Sequence, residues 1–316
     1  MSPVNLRNEL KSSIRSQFST RPQYTRVINP SNSHSAKVAG WGRGAGGGLR
    51  ADLLSQELAA AGVPYRVRLQ ARVPSTQDLV LAAARAGEPE GLVVIADHQT
   101  RGRGRAGHSW IDAPGTSLMF SLLWRPIWPV TGWGSLSLTA GLAVAEGIEA
   151  AGGPVADVKW PNDCLAGGRK LAGILVETGM SAGSASAVVG VGCNVAWAGV
   201  DPGLGPEATA TDLEGSPVDL TELAGAVLTS LHRRYREWSA GGFDALRPAW
   251  TARCAWLGRR VVVRLPDGHL EGEMLGVDSD GSLRLGVGRG EVLVPAGDVS
   301  RAGGPALRIS ARTTGR

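Results

Sequence analysis

The sequence predicts an α+β protein: a mixed central sheet with flanking helices, followed by a small β-barrel domain. Three observations predict it. Between Ala51 and Trp250 the apolar residues switch between the two-residue spacing of strands and the three-to-four-residue spacing of helices. From Leu257 to Ser300 the chain becomes short strand-like runs separated by turn clusters such as Pro266-Asp267-Gly268 and Gly288-Arg289-Gly290. Residues 1–48, rich in Ser, Asn, Arg and Gly, carry no apolar face long enough to bury anything and are expected to be disordered. The expected division is a basic leader over 1–48, a main domain over 49–254, the β domain over 255–305 and a flexible tail over 306–316.

In the main domain, Leu53, Leu54, Leu58 and Ala61 fall at helical spacing, and Tyr65, Val67 and Leu69 alternate as a strand. Ser75 with Asp78 three residues later reads as a capping box ahead of a helix over 79–86. A buried strand over 91–96 delivers Gln99, an amide that both donates and accepts, to its end. The loop 99–110 then places Arg101, Arg103 and Arg105 among Gly102, Gly104 and Gly107. Glycines let backbone approach a ligand, and arginine forks match carboxylate and phosphate oxygens, so this loop is built to close on anions. A solvated or RNA-touching loop is the alternative.

A strand over 116–124 and a helix over 134–150 follow, with Trp124, Trp128 and Trp133 expected in the core or at a partner-facing edge. The strand 155–160 is stopped by Pro161, leaving Lys159, Asn162 and Asp163 at the following turn. Strands over 171–177 and 188–195 carry Gly173, Gly190 and Gly192, where a ligand could lie against the sheet, and present Asn194 at an end. An amphipathic helix over 221–238 continues into helical packing through Phe243 and Trp250. Strands over 260–265, 269–277, 282–287 and 291–294 form the SH3-like barrel, and Asp278-Ser279-Asp280-Gly281 is a hairpin turn lacking the later ligand positions of a calcium loop.

Composition excludes several functions. No apolar run approaches the roughly eighteen residues of a membrane span. Residues 1–48 hold seven Lys or Arg against one acid, more than the whole chain's formal charge of +5, so the body is near neutral and is not a nucleic-acid surface. The leader's composition fits either a transit peptide or an over-extended start. Cys164, Cys193 and Cys254 show no C-x-x-C spacing, indicating neither disulfides nor zinc and fitting a reducing cytoplasm. Of 33 basic residues only Lys11, Lys37, Lys159 and Lys170 are lysine. A chain that otherwise uses arginine keeps two ammoniums in its body, which points to positions needing a compact charge on a flexible stem.

The four segments Gly102-Arg103-Gly104-Arg105, Lys159-Trp160-Pro161-Asn162-Asp163, Arg169-Lys170-Leu171-Ala172-Gly173-Ile174-Leu175-Val176-Glu177 and Gly190-Val191-Gly192-Cys193-Asn194-Val195, in this order, resemble the biotin protein ligases over roughly residues 50–305. The type resembled is monofunctional, without an N-terminal DNA-binding domain. The resemblance implies a class II aminoacyl-tRNA synthetase-like main domain and ATP-dependent conversion of biotin to biotinyl-5'-AMP. Transfer to a lysine of a biotin carboxyl carrier protein or domain, of acetyl-CoA carboxylase or a related carboxylase, follows. It implies a biotin pocket of Ser75, Thr76, Gln77, Gln99, Arg103, Gly104, Arg105 and Lys170, with Arg105, Lys170 and Arg103 in the chemistry. Lys159, Asn162, Asp163 and Asn194 fall on the ATP side, and Trp110 is either a hinge on the core or an adenine platform. Asp163 is the candidate to meet Mg²⁺ directly or through water. His108 departs from the family, where arginine is usual, and reads as a surface histidine. A cytoplasmic monomer or weak homodimer that binds neither DNA nor membrane is expected. A lipoate–protein ligase, which shares the chemistry, and a catalytically silent biotin sensor are the alternatives.

Overall fold

The computed structural model describes residues 26–28, 48–127, 129–181, 184–198 and 206–302. In chain order these form β1 (Arg26–Ile28), α1 (Ala51–Ala60), β2 (Arg66–Val73), α2 (Thr76–Arg85), β3 (Leu92–Gln99), β4 (Gly102–Arg103), β5 (Ser109–Trp110), β6 (Ser117–Trp124), α3 (Leu136–Ala150), β7 (Asp157–Lys159), β8 (Asp163–Ala166), β9 (Arg169–Ser181) and β10 (Ser184–Asn194). There follow α4 (Leu220–Gly241), α5 (Arg247–Ala252), β11 (Arg260–Leu265), β12 (Gly268–Val277), β13 (Leu283–Val287), β14 (Gly290–Val294) and β15 (Asp298–Arg301). No helix among the described residues is long and apolar enough to cross a membrane.

The main sheet runs β1-β2-β3-β6-β10-β9-β8-β7. It is mixed: β2 and β3 are parallel, while the other neighbours are antiparallel. Strand alternation divides its side chains between two faces. On one, Ile95, Phe120 and Val189 pack with Leu54 and Leu58 of α1, Leu142 and Val144 of α3, and Leu223 and Leu231 of α4 in the principal core. On the other, Val80 and Ala84 of α2 bury Val94, Leu123 and Val188. Because α2 covers only part of this second face, the stretch of sheet beyond it is open to the hairpin β4–β5. α4 is the longest helix, capped by Asp219, whose Oδ1 accepts from the N–H groups of Thr221 and Glu222, and it ends at Gly242 in a left-handed conformation (φ 65°). Trp124 is fully buried and stacks on Tyr235 of α4 at 4.3 Å; Trp133 is also buried, and Trp128 lies outside the described residues.

The C-terminal strands form an antiparallel sheet in the order β14-β13-β12-β11-β15. No pairing joins β14 to β15 among the described residues, so the hydrogen bonds leave open the sheet that was expected to close as a barrel. β15 itself was not anticipated: Asp298-Val299-Ser300 is too short to show a pattern and is a strand because it pairs with β11. Asp278–Ser282 closes the β12–β13 hairpin as a turn, as expected. This sheet docks on the main domain through that turn. Trp160 Nε1 donates to the Gly281 carbonyl at 3.0 Å inside the interface, and Gly281 (φ 90°) lies so close to Ser135 that a Cβ would meet its Cα at 2.9 Å.

Two further differences concern the main domain. β1 lies within the segment expected to be disordered, pairing Arg26, Val27 and Ile28 with Leu69, Arg68 and Val67; residues 1–25, 29–47 and 303–316 lie outside the described residues. The expected turn after Lys159 is a tight hairpin, β7–β8, which pairs Lys159 with Asp163.

Candidate functional site

Small residues on three adjacent strands make a shallow tray on the α2 face of the sheet. The register sets Met119 of β6 opposite Gly192 of β10, and Gly192 opposite Gly173 of β9; one row further on, Ser121 lies opposite Gly190 and Gly190 opposite Leu175. The glycines leave the backbone bare, and two side chains lie on it. The Trp110 indole covers the first row, its ring 2.5–2.7 Å from where a Gly192 Cβ would stand and 3.3 Å from that of Gly173. Gln77 covers the second, with Oε1 2.6 Å from the Cβ position of Gly190. The expectation that these glycines permit close approach is met here by protein side chains.

The start of α2 forms one wall. Thr76 N–H donates to Gln99 Oε1 (2.8 Å), the Thr76 and Ser121 hydroxyls are 2.9 Å apart, and Ser121 donates to Gln77 Oε1 (2.9 Å). Gln77 Nε2 donates in turn to the Val188 carbonyl (3.1 Å), while Gln99 Nε2 has the Met119 sulfur, a weak acceptor, at 3.4 Å. Ser75 precedes the helix as expected, but the capping box does not form: its hydroxyl makes no capping bond, and the Asp78 carboxylate turns to Arg103. Ser75 Oγ is buried without a hydrogen-bond partner among the described residues, as is Trp110 Nε1. Buried polar atoms are seldom left unsatisfied, so two donors waiting beside a tray of glycines mark where a polar ligand fits.

The arginine-rich stretch is an ordered hairpin in place of the expected loop. β4 pairs with β5, Gly102 packing so tightly on Trp110 that a Cβ would lie 2.4 Å from its carbonyl oxygen, and the chain reverses at Ala106 (φ 53°) and Gly107 (φ 78°). Arg103 bridges Asp78 of α2 (2.8 Å) and Glu177 of β9 (2.7 Å), strapping the hairpin across the tray. Arg105 reaches the C-terminal sheet, donating through Nη1 to the Gly297 carbonyl (2.9 Å) and to Asp298 Oδ1 (2.6 Å). Gly104 donates its N–H to the His108 carbonyl, and the His108 side chain is exposed. Behind the hairpin, buried Asp112 accepts from the Gln99 N–H and lies 2.9 Å from His98 Nδ1; burial raises its carboxyl above the usual range against the pull of His98.

At the far end of the tray sit the two lysines. Lys170 Nζ is 2.7 Å from Asp163 Oδ1 and Lys159 Nζ 3.2 Å from Oδ2, so one carboxylate holds both. Burial pushes the Asp163 carboxyl up, but Lys170 and Lys159 outweigh it and hold the group below its ordinary value. Lys170 stands over Gly173, Nζ and Cε each 3.2 Å from its Cβ position, in the same row as Trp110. Its backbone is fixed by residues 207–209: Lys170 N–H donates to the Glu207 carbonyl and Thr209 N–H to that of Lys170. Asn162 and Asn194 turn to backbone nearby, their amides donating to the carbonyls of Ile174 (2.8 Å) and Thr209 (2.9 Å). Both Asp163 oxygens face ammoniums in this structure, so the carboxylate offered as a magnesium ligand is taken up by Lys170 and Lys159.

Ser75, Thr76, Gln77, Gln99, Arg103, Trp110 and Lys170 are thus gathered around one tray, with Lys159 and Asp163 at its end. Asn162 and Asn194 brace it, and Arg105 is held at its outer side by the second domain. Not legible in the sequence as parts of the site are Ser121, Met119, Asp112, residues 207–209 and Asp298, nor the pairing of Arg103 with Asp78 and Glu177. Glu177 and Gly173 lie inside a recognised motif; Asp298 carries no local signal.

Residues 69–194 match the family described as the biotin/lipoate A/B protein ligase family, and residues 256–301 match the biotin protein ligase C terminal domain. The chain is 38% identical over 254 residues to the biotin–(acetyl-CoA-carboxylase) ligase of Mycobacterium tuberculosis, covering 78% of this chain and 93% of that protein. It is 32% identical over 256 residues to the bifunctional ligase/repressor BirA of Bacillus subtilis, covering 80% and 76%. Among solved structures, the biotin protein ligase from Aquifex aeolicus in complex with biotin and ATP is similar at a TM-score of 0.64 and 26% identity, covering 74% of this chain and 97% of that one.

Proposed function

This chain belongs to the biotin protein ligase family, and from that premise we propose how its residues divide the two half-reactions of an ATP-dependent biotin ligase. In the first, a biotin carboxylate oxygen attacks the α-phosphorus of ATP, forming biotinyl-5'-AMP and expelling pyrophosphate. In the second, the amine of a carrier-domain lysine attacks the acyl carbon; an amide forms, AMP leaves and the amine gives up a proton. The acceptor is a biotin carboxyl carrier domain of acetyl-CoA carboxylase, a reading supported by the named Mycobacterium relative.

One observation carries the assignment of roles: Lys170 stands in the same glycine row as Trp110, where the tray meets the Lys159–Asp163 pair. A carboxylate lying along the tray would end at this ammonium. The ureido ring of biotin would sit at the α2 end, where among the described residues Ser75 Oγ has no hydrogen-bond partner and Gln99 Nε2 meets the Met119 sulfur. Arg103 and the Gly104 backbone close over it, and Gln77 and Thr76 shape the wall. Lys159, Asp163, Asn162 and Asn194 form the nucleotide side, with Trp110 between the two halves as a ring that either packs the tray or meets adenine. Magnesium enters with ATP as part of the substrate. Two anions must meet, so fixed cations at Lys170 and Arg105 lower the barrier by opposing their repulsion before charge moves. For the fold, the mixed sheet supports a class II aminoacyl-tRNA synthetase-like domain, and five turn-joined strands support an SH3-like second domain.

The match of residues 256–301 to a biotin protein ligase domain favours biotin over lipoate. The test is transfer of labelled biotin to a purified carrier domain with MgATP, with lipoate in parallel. Labelling that requires ATP and ignores lipoate supports the reading. Tight biotin binding without transfer would sink it in favour of a sensor.

A further inference from the structure

Arg105 reaches out of the main domain, and its partners show what the C-terminal sheet does for the site. Both contacts run through one nitrogen: Nη1 donates to Asp298 Oδ1 and to the Gly297 carbonyl. No hydrogen bond of Nε or Nη2 is found among the described residues, which leaves the Nε–Nη2 edge, able to grip two oxygens of one anion, uncommitted by the anchor. The anchor is itself rigid. Asp298 pairs with Arg264 and the next residue, Val299, is buried against β11. Gly297 is wedged so tightly that a Cβ would meet the Arg264 carbonyl at 2.8 Å. A lone arginine in the turn between β4 and β5 has many rotamers, and freezing them costs about 2 kcal/mol; two acceptors on a neighbouring sheet remove that freedom in advance.

We propose that Asp298, with the Gly297 carbonyl, is a positioning residue for Arg105: the C-terminal sheet holds the guanidinium by one nitrogen so that its free edge is presented to the anionic substrates. The inference rests on the ligase reading and deepens it, giving the second domain a part in adenylate formation.

The test is biotin-dependent exchange of pyrophosphate into ATP by full-length wild type, D298A, D298N, R105A and the double variant, alongside biotin binding without ATP and trypsin cleavage after Arg105. Loss of positioning costs about ten- to a hundredfold in turnover, so D298A is expected to lose that much kcat with biotin affinity unchanged. D298N, which keeps an acceptor oxygen, falls between D298A and wild type. The double variant is no worse than R105A, because Asp298 acts through that side chain. Cleavage after Arg105 quickens in D298A without any substrate. Wild-type turnover and unchanged cleavage in D298A, or losses that multiply in the double variant, would overturn the proposal. Absence of exchange in the wild type would instead count against the ligase reading, and the cleavage assay would still decide the anchor.

Discussion

Lys170 and Asp163 decide most at the scale of single residues. Removing a fixed cation from a site where charge develops typically costs about 10² to 10³ in rate, and Lys170→Ala is expected to lose that in biotinyl-AMP formation, measured by single-turnover quench. Lys170→Arg should also be poor, since a planar fork does not replace a point charge 2.7 Å from Asp163 and 3.2 Å from where a Gly173 Cβ would stand. Asp163→Asn leaves two ammoniums facing a neutral amide. Breaking a buried pair costs about 3 to 5 kcal/mol, and because Lys170 is 41% exposed the low end applies. The sign with pH follows from the lowered carboxyl: Asp163 contributes its stability above the ordinary Asp range and loses it as pH falls through its own lower value. Urea unfolding from neutral to acid pH should therefore show the gap between wild type and Asp163→Asn narrowing as pH drops. The two lysines stood out in the sequence because arginine fills nearly every other basic position, but nothing there revealed that one carboxylate holds both. Their pairing depends on the β7–β8 hairpin and the β8–β9 register, which are long-range facts.

Elements made of strong periodic runs were legible: α4 and β6 bury one continuous stripe or both faces, so hydrophobicity alone places them. The hairpin β4–β5 was not, because its two-residue strands have no period and are held by Asp78, Glu177 and Asp298 from three other elements. Ser75 and Asp78 carried the letters of a capping box while tertiary contacts claimed the Asp78 carboxylate. The glycines were legible as openings, yet the side chains lying on them were not. Gly192→Ala tests that arrangement, for its Cβ would stand 2.5–2.7 Å from the Trp110 ring, which must rise off the sheet with the hairpin. Overpacking of this kind costs about 1–3 kcal/mol. The expected outcome is a lower urea midpoint and faster trypsin cleavage at residues 101–105; an unchanged digest would mean that the hairpin does not depend on the ring.

For the whole molecule, the contacts between the two domains include Trp160 with Gly281, Gly281 with Ser135, Arg247 with Asp278, and Arg105 with Asp298. Trp160→Phe keeps the apolar bulk and leaves the Gly281 carbonyl unpaired inside the interface, a loss of about 1–3 kcal/mol that should appear as a lowered thermal midpoint. The change to short strands near Leu257 is legible in the sequence, but how the second sheet sits on the first is not, since Trp160 reads only as part of a motif. The scarcity of lysine has a consequence at this scale. An acyl-adenylate acylates any free amine it meets, and between residues 48 and 302 this protein has only two lysine amines, both engaged by Asp163. A working ligase with such a surface is spared from labelling itself. After prolonged turnover without acceptor, mass spectrometry should find biotin adducts on Lys11, Lys37 and the terminal amine ahead of Lys159 and Lys170, leaving the arginine-rich body a clean vessel for a reactive anhydride.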